Sequence, residues 1–135
     1  MAMEVFTVNT ERTGAIDITG KVRECVRNLA KGRSGVAFVF TFHTTTAITV
    51  NEAESGLMDD MIRAGVSIVP KMDYRHNRID NNAEAHIISS LIGNSVALPV
   101  EDGELKFGTW QSVLLLEFDG PRTRKVGVKF LAEAD

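Results

Sequence analysis

The sequence predicts an α+β fold, in which a single compact domain over residues 1–135 folds as mostly antiparallel or mixed β-sheets in a sandwich packed with about three helices. A chain of 135 residues is long enough for one core and too short for a second. Hydrophobic residues make up 44% and charged residues 24%, which is typical of a globular domain. Candidate strands cluster toward the C-terminal end, which favours an α+β sandwich over a doubly wound parallel sheet.

The N-terminal half is predicted to hold two helices and three strands. Apolar residues at helical spacing indicate the first helix, with Thr19 as N-cap and Gly32 at its end. The second helix must end before Pro70. In order, the predicted elements are a strand at 3–10, a helix that lies between Thr19 and Gly32, strands at 35–42 and 48–50, and a helix at about 52–68.

The C-terminal half begins with a polar segment, residues 71–81, which is predicted to be a functional loop. Val113–Leu116 is apolar at every position, so this strand should be buried on both faces. The remaining predicted elements are a helix at 83–92 capped by Asn82 and strands at 95–100, 105–107 and 126–130.

Charge and cysteine content exclude several functional classes. A net charge of −3 argues against a nucleic-acid partner, which would need a basic face, and against a polybasic membrane anchor. The single Cys25 rules out an internal disulfide framework and a cysteine-based zinc site. The N-terminus lacks the features of a signal peptide, and no apolar run is long enough to span a membrane. We therefore expect a cytoplasmic protein with neither nucleic-acid nor membrane partners.

Two histidines stand among polar residues that could bind an anion or carry protons. His43 ends the strong strand and leads into Thr44, a setting that suits a phosphate or carboxylate, although a plain β-rich threonine run explains it equally well. His86 lies on a small polar stripe of its helix, where a neutral imidazole could accept a proton or bind metal. A structural role for His86 is the alternative.

Asn51 and Glu52 admit two interpretations. Asn51 could be an N-cap with Glu54 as its capping-box partner. Alternatively, Glu52, held ionised in a first helical turn, could serve as a base or a metal ligand. Both interpretations require the same local geometry, so spacing does not separate them.

Several motifs, taken in order, resemble the YjbQ-like family, also called the secondary thiamin-phosphate synthase enzyme family. They extend over most of the chain from about residue 35 onward. The matching blocks are His43-Thr44-Thr45, Ile48 to Glu52, Tyr74-Arg75-His76, Asn82, Ala85-His86, Gly93 and Ser95, Leu98-Pro99-Val100, Gly103, Leu105, Gly108-Thr109-Trp110-Gln111, and Glu117 to Arg122.

The resemblance implies a compact α+β fold that assembles as a homotrimer. It also implies an activity that joins a pyrimidine pyrophosphate to a thiazole phosphate and releases pyrophosphate. The positions that transfer by motif are His43, Asn51, Glu52, His86, Gly108, Trp110 and Gln111. The chain departs from many relatives after Glu52, where Ala53-Glu54-Ser55-Gly56 replaces an Asp-Pro element, so no role is assigned to an acidic residue just downstream.

For such a reaction we expect one pocket in which His43, Glu52 and His86 converge as catalytic groups. Glu52 could hold Mg²⁺, whereas His43 and His86 suit Zn²⁺ or general-base chemistry. A small phosphorylated or anionic molecule would be the ligand. The predicted substrate-binding residues are Thr44, Asn51, Arg75, Gly108, Trp110, Gln111 and Arg122, with the two arginines as phosphate clamps and Trp110 as a stacking surface. The alternatives are a non-catalytic metabolite- or metal-binding homotrimer and a purely structural module.

Overall fold

The computed structural model describes residues 3–134 as eight strands, three α-helices and one 3₁₀ turn. The elements in chain order are β1 (Met3–Asn9), β2 (Gly14–Asp17), α1 (Thr19–Ala30), β3 (Gly35–Thr41), β4 (Thr46–Asn51), α2 (Ser55–Ile68), the 3₁₀ turn Arg75–Arg78, α3 (Ala83–Ile92), β5 (Ser95–Glu101), β6 (Glu104–Leu105), β7 (Ser112–Glu117) and β8 (Thr123–Ala132).

The strands form two antiparallel sheets. The larger has the order β1-β8-β3-β5-β6 and the smaller the order β2-β7-β4. The two sheets and α1 enclose a first apolar core. Its largest fully buried members come from α1, β3, β4, β5, β7 and β8: Val22, Val26, Val39, Ile48, Val100, Val113, Leu115, Val126 and Val128.

A second core lies on the other side of the three-stranded sheet. Leu114 and Leu116 of β7 point there, and α2 and α3 cover them with Ile62 and Ile88. Strand β7 is therefore buried on both faces, because Val113 and its alternate neighbours pack into the first core. The α+β sandwich prediction and the central position of β7 are confirmed.

Three local predictions differ from the structure. Helix α2 begins at Ser55, and its N-cap is Glu54, whose carboxylate accepts hydrogen bonds from the Gly56 and Leu57 backbone N–H groups. Asn51 instead ends β4, and its side chain accepts from the Glu52 N–H at 2.8 Å. The N-cap of α1 is Ile18, so Thr19 is the first helical residue.

Strand β2 is not among the elements predicted from the sequence. It has only four residues, and its backbone pairs with β7 from Gly14 opposite Glu117 to Asp17 opposite Leu114. Such a short strand shows too little alternation to be detected. Among the residues that the structure describes, no helix is both long and apolar enough to span a membrane.

Candidate functional site

The loop between β3 and β4 forms one wall of a polar cleft at the end of the sandwich. Its ends are joined by a buried 2.7 Å hydrogen bond between the hydroxyls of Thr41 and Thr46. The backbone N–H of His43 also donates to the Thr41 hydroxyl, at 3.3 Å. These bonds fix the conformation of the loop and place His43 next to β8.

His43 is fixed in one tautomer. Its Nε2 atom accepts a hydrogen bond of 2.8 Å from the backbone N–H of Lys125. A nitrogen that accepts carries no proton, so the neutral ring bears its proton on Nδ1. Burial, and next the charge of Arg124, hold the pKa of His43 below its ordinary value.

His86, on α3, lies beside His76 from the 3₁₀ turn. Their ring centroids are 4.7 Å apart, and the rings meet edge to face at 82°. Nε2 of His76 lies 2.7 Å from Oδ1 of Asn82, an atom that only accepts, so His76 donates this bond. Nδ2 of Asn82 in turn donates to Oδ2 of Asp119 at 2.9 Å. His76 is therefore part of the site, although the sequence assigned it only to the polar loop.

Two adjoining hollows of about 530 and 680 Å³ share His43, Thr44 and His86. We call them together the histidine cleft. The smaller hollow is completed by Ser89, Ser90, Gly93 and Asn94. The larger is completed by Phe42, Thr45, Asp80, Asn82, Asp119, Arg122, Thr123 and Arg124. The polar stripe of α3 lines the cleft, as its spacing had suggested.

Arg122 supplies a partly exposed cation at the edge of the cleft. Its Nε donates to the backbone carbonyl of Asp119 at 3.2 Å, and an Nη2 atom lies 3.7 Å from the Asp119 carboxylate. These contacts use only part of the guanidinium's five N–H donors. The remaining donors are available to an anion in the cleft.

A buried ion pair supports the floor of the cleft. Nε and Nη2 of Arg124 donate to the two carboxylate oxygens of Glu117 at 2.7 and 2.6 Å, and both side chains are almost fully buried. Thr10 donates to Glu117 at 2.6 Å, and Arg124 also donates to the Thr45 hydroxyl at 2.9 Å. Burial alone would raise the pKa of Glu117, but the hydrogen bonds from Arg124 and Thr10 outweigh it and lower that pKa.

This pair is not among the site residues predicted from the sequence. One signal could have located it. Arg124 stands two residues before Val126, on the core-facing side of β8, and Glu117 follows Leu115 by two residues on the core-facing side of β7. An unpaired charge is costly in a low-dielectric interior, so two opposite charges at core-facing positions of neighbouring segments are expected to form an ion pair.

Glu52 lies at the opposite end of the sandwich from His43. Strand β4 separates them, and at roughly 3.3 Å per residue this strand alone spans about 17 Å. Because Asn51 is paired with Ser112, the segment Gly108–Gln111 lies at the same end as Glu52. Within one subunit the structure thus brings His43 and His86 together and leaves Glu52 apart.

The segment Gly108–Gln111 forms a tight turn in which the Gly108 N–H donates to the Gln111 side-chain oxygen at 2.7 Å. Trp110 at its tip is 73% exposed. Arg75 begins the exposed 3₁₀ turn and lines neither hollow of the histidine cleft. Of the predicted substrate-binding residues, only Thr44 and Arg122 line this cleft.

The donor groups do not fit a metal site within one subunit. Across residues 3–134, no three His, Cys, Asp or Glu side chains come close enough together to hold an ion. His43 has its unprotonated nitrogen occupied by the Lys125 N–H, so that nitrogen is not a free ligand. The predicted metal at His43 and His86 stays a prediction.

Solved structures of similar chains support the fold. The hypothetical protein APE1520 of Aeropyrum pernix K1 is 42% identical, with a TM-score of 0.91 over 98% of this chain and 100% of that one. A YbjQ-like protein of unknown function from Sulfolobus solfataricus P2, SSO2532, is 35% identical, with a TM-score of 0.91 over 98% and 97% of the two chains.

Sequence relatives and a family model extend this similarity over nearly the whole chain. A UPF0047 protein of Archaeoglobus fulgidus is 48% identical over 130 residues, which are 96% of this chain and all of the relative. The UPF0047 protein YugU of Bacillus subtilis is 37% identical over 90% of this chain and 92% of its own. The family model described as UPF0047 protein YjbQ-like matches residues 4–133. The chain therefore belongs to the YjbQ-like family, UPF0047.

Proposed function

We propose that the histidine cleft binds a small phosphorylated or otherwise anionic molecule and acts on it by proton transfer. The observation that carries the proposal is the convergence of His43, His86 and Arg122 on one cleft from three separate parts of the chain. A cation and two imidazoles around one hollow are the groups expected for an anionic substrate whose bonds must gain or lose protons.

Arg122 and His43 would bind and orient the anion. The free N–H groups of Arg122 make charge-assisted hydrogen bonds to phosphate oxygens, which are stronger than neutral ones. His43 is held neutral with its proton on Nδ1, so it would act as a donor of fixed direction. The Thr44 hydroxyl, exposed in the same loop, adds a further donor.

His86 is the proposed acid–base group. Among the described residues, none hydrogen-bonds to its ring nitrogens, so the ring is free to exchange a proton with a ligand. The ring of His76 packs against it at 82°, and His76 is itself hydrogen-bonded to Asn82. His76 and Asn82 would therefore position His86 without touching the ligand.

The specific reaction that we propose is of the thiamine-phosphate synthase type, following the family resemblance. The pyrimidinylmethyl group of a pyrimidine pyrophosphate would be transferred to the ring nitrogen of a thiazole phosphate, so that a C–N bond forms while the C–O bond to pyrophosphate breaks. Arg122 would stabilise the pyrophosphate that leaves, and His86 would give it a proton. A divalent ion, Mg²⁺ or Zn²⁺, is the proposed cofactor; because the described residues of one subunit offer no set of three side-chain ligands, phosphate oxygens of the substrate would supply most of its ligands. We propose the cytoplasm as the compartment, because the only cysteine, Cys25, is a buried free thiol.

A non-catalytic binding protein is the second candidate. One observation favours it: Glu52, the acid that was expected to complete the catalytic set, is remote from the histidines within the subunit. Without the Glu52 carboxylate nearby, the cleft could bind an anionic metabolite as a sensor without catalysing a reaction.

Calorimetric titration of the full chain with pyrophosphate tests the binding proposal. Arg122→Ala should weaken pyrophosphate binding about tenfold or more, the effect of losing a charge-assisted hydrogen bond. Arg63→Ala is the matched control, because Arg63 is an exposed arginine of α2 outside the cleft. Equal binding by the wild type and the Arg122 variant would contradict the proposal.

Turnover separates the two candidates. The wild type and His86→Ala are incubated with the pyrimidine pyrophosphate and thiazole phosphate, with Mg²⁺ or Zn²⁺ and again with EDTA, and released pyrophosphate is measured. Loss of turnover in the variant with affinity retained supports catalysis. Binding without turnover in the wild type supports the second candidate and rejects this reaction.

A further inference from the structure

A third hollow adjoins the histidine cleft, because Asn82 and Asp119 line both. It has a volume of about 300 Å³ and is enclosed by the β1–β2 loop, α2, the first turns of α3 and the residues that end β7. We call it the side hollow. Neither His43 nor His86 lines it, so the side hollow is a separate candidate site and not part of the proposed acid–base machinery.

The floor of the side hollow is apolar. Ala85 and Ile88 of α3 and Phe118 at the end of β7 line it and are only 3–8% exposed. Val66 of α2 lines it too and remains 47% exposed. Covering such a surface with a hydrocarbon group releases water and is favourable. The ligand of this hollow should therefore have an aliphatic side.

The rim of the side hollow carries one cation and one anion that do not pair with each other. Arg12 of the β1–β2 loop and Glu84 of the first turn of α3 both line it. Among residues 3–134, neither has an ion-pair partner within 4.0 Å. Asp119, by contrast, already lies 3.7 Å from Arg122. Two unpaired charges of opposite sign thus stand beside an apolar floor.

Neighbouring residues hold both charged residues in place. The Arg12 carbonyl accepts a hydrogen bond of 2.8 Å from the Gly120 N–H, which fixes the β1–β2 loop. Asn77 donates to Oε1 of Glu84 at 3.1 Å and accepts from the Ala83 N–H at 2.9 Å. Among the described residues, neither Oε2 of Glu84 nor the Arg12 guanidinium makes a hydrogen bond, so both are available to a ligand. A site held in this way costs less to order on binding.

We propose that the side hollow binds a small zwitterion with an aliphatic side chain, of which a branched aliphatic α-amino acid is the simplest. Arg12 would bind the carboxylate through two parallel N–H donors, and Glu84 would accept from the ammonium group. The side chain would lie on the apolar floor. A sphere with the volume of this hollow is about 8 Å across, so one small molecule can contact both charges, whereas a nucleotide is too large. This proposal does not depend on the function proposed for the histidine cleft.

Ligands with a single charge fit the side hollow less well. A phosphate near Arg12 would also approach the carboxylates of Glu84 and Asp119, which repel it. An amine bound to Glu84 would leave the Arg12 cation unpaired in the same small space. The charges of the hollow therefore favour a molecule that carries both signs.

NMR titration of the ¹⁵N-labelled full chain with leucine and with valine tests this proposal. At least one of the two should bind with a Kd of about 1 mM or tighter, which is within the reach of so small a ligand. The largest shifts should be those of the Thr13 and Ala85 amides, because both residues line the side hollow. Absence of binding at about 10 mM of either amino acid would overturn the proposal. So would binding whose shifts lie elsewhere in the chain.

Two variants test the assigned contacts. Arg12→Ala and Glu84→Gln should each weaken amino-acid binding about tenfold or more, the effect of losing a charge-assisted hydrogen bond. Arg63→Ala and Glu24→Gln are the matched controls, because both residues are exposed and lie outside the hollow. If Arg12→Ala fails to fold by circular dichroism, Arg12→Gln replaces it with the same expected loss. Unchanged affinity in both rim variants would reject the site.

Three truncated ligands test the chemical class. 4-Methylpentanoate lacks the ammonium group of leucine, 3-methylbutylamine lacks the carboxylate, and glycine lacks the side chain. Each should bind about tenfold more weakly than leucine or worse. Equal binding of 4-methylpentanoate would show a simple anion site and contradict the assignment to a zwitterion.

Pyrophosphate affinity keeps this proposal separate from the one for the histidine cleft. Arg12→Ala should bind pyrophosphate as the wild type does, because Arg12 does not line that cleft. Loss of pyrophosphate binding in this variant would show that the two hollows act as one site, which overturns the separate assignment. Amino-acid binding by a wild type that does not bind pyrophosphate would reject the proposed function and support the side hollow.

Discussion

Nε2 of His43 accepts a hydrogen bond from the backbone N–H of Lys125, and this contact sets the tautomer of the neutral ring, while burial and the charge of Arg124 lower its pKa. Protonating His43 would replace the acceptor with a second N–H that faces the same donor. We therefore expect NMR titration to give a pKa for His43 below the ordinary value near 6.5, with the neutral ring protonated on Nδ1.

The same shift predicts the pH dependence of stability. Because the folded pKa of His43 is lowered, the unfolded chain binds more protons here as the pH falls below the ordinary value. The contribution of His43 should thus be complete above about pH 6.5 and decline below it. His43→Gln should remove this slope in urea denaturation, and a His43 ring protonated on Nε2 would contradict the assignment.

The Glu117–Arg124 pair should be the most sensitive polar contact in the fold. Replacing one partner leaves the other as an uncompensated buried charge, so Glu117→Gln or Arg124→Met should cost about 3–5 kcal/mol of unfolding free energy. Chemical denaturation measures this. Arg27→Ala, which breaks the half-exposed pair with Glu104, should cost less than about 1 kcal/mol.

The double variant Glu117→Leu with Arg124→Met should be less destabilised than either single change, since no lone charge remains. The wild type should lose stability in acid, because the lowered pKa of Glu117 gives a contribution that is complete above about pH 4.3 and is lost as the pH falls through the folded value. If the double variant instead loses as much unfolding free energy as the two single variants together, the two residues contribute to stability independently.

Asn82 should matter for the position of His76 more than for the helix that it precedes. Among the described residues its side chain makes no capping bond to α3, and it instead bridges His76 and Asp119. Asn82→Ala should therefore cost less than the typical 1 kcal/mol or so of a lost cap. The His76 ring N–H signal, protected by its bond to Asn82, should exchange faster in the variant. An unchanged signal would show that His76 is held otherwise.

Gly35 should tolerate no side chain, because β8 approaches it closely. A Cβ atom there would lie 2.9 Å from the Ala132 Cα and would overlap the Leu131 carbonyl oxygen. Gly35→Ala should destabilise the fold by more than about 2 kcal/mol, since backbone must shift. Gly14→Ala, where a Cβ meets no atom within 4 Å, is the control and should have little effect in the same thermal denaturation.

The parts of the fold that follow local rules could be predicted from the sequence. Helix α3 was predicted with its observed bounds, Ala83–Ile92, because Gly93 stops it and its apolar residues recur at helical spacing. The double burial of β7 followed from its unbroken apolar run. The start of α2 was misplaced, since Asn51 and Glu54 have the spacing of a capping box, whereas in the structure Glu54 is itself the N-cap.

The site could be predicted only where one short segment contains it. The polar stripe of α3 was evident from spacing, and His43 from its place at a strand end. The contact between His76 and His86, and the buried pair of Glu117 with Arg124, depend on tertiary packing that joins elements with no shared local pattern. Glu52 was grouped with the histidines by motif order, whereas the direction of β4 puts it at the other end.

Strand β7 has a consequence for how the molecule opens. Its residues Val113 and Leu115 belong to one core, and Leu114 and Leu116 belong to the other. Both cores depend on β7, so unfolding of either core would expose one face of this strand and destabilise the other core. We therefore expect the two cores to unfold together as one cooperative unit. Amide hydrogens along β7 should be the slowest in the protein to exchange with deuterium, at a rate set by global unfolding.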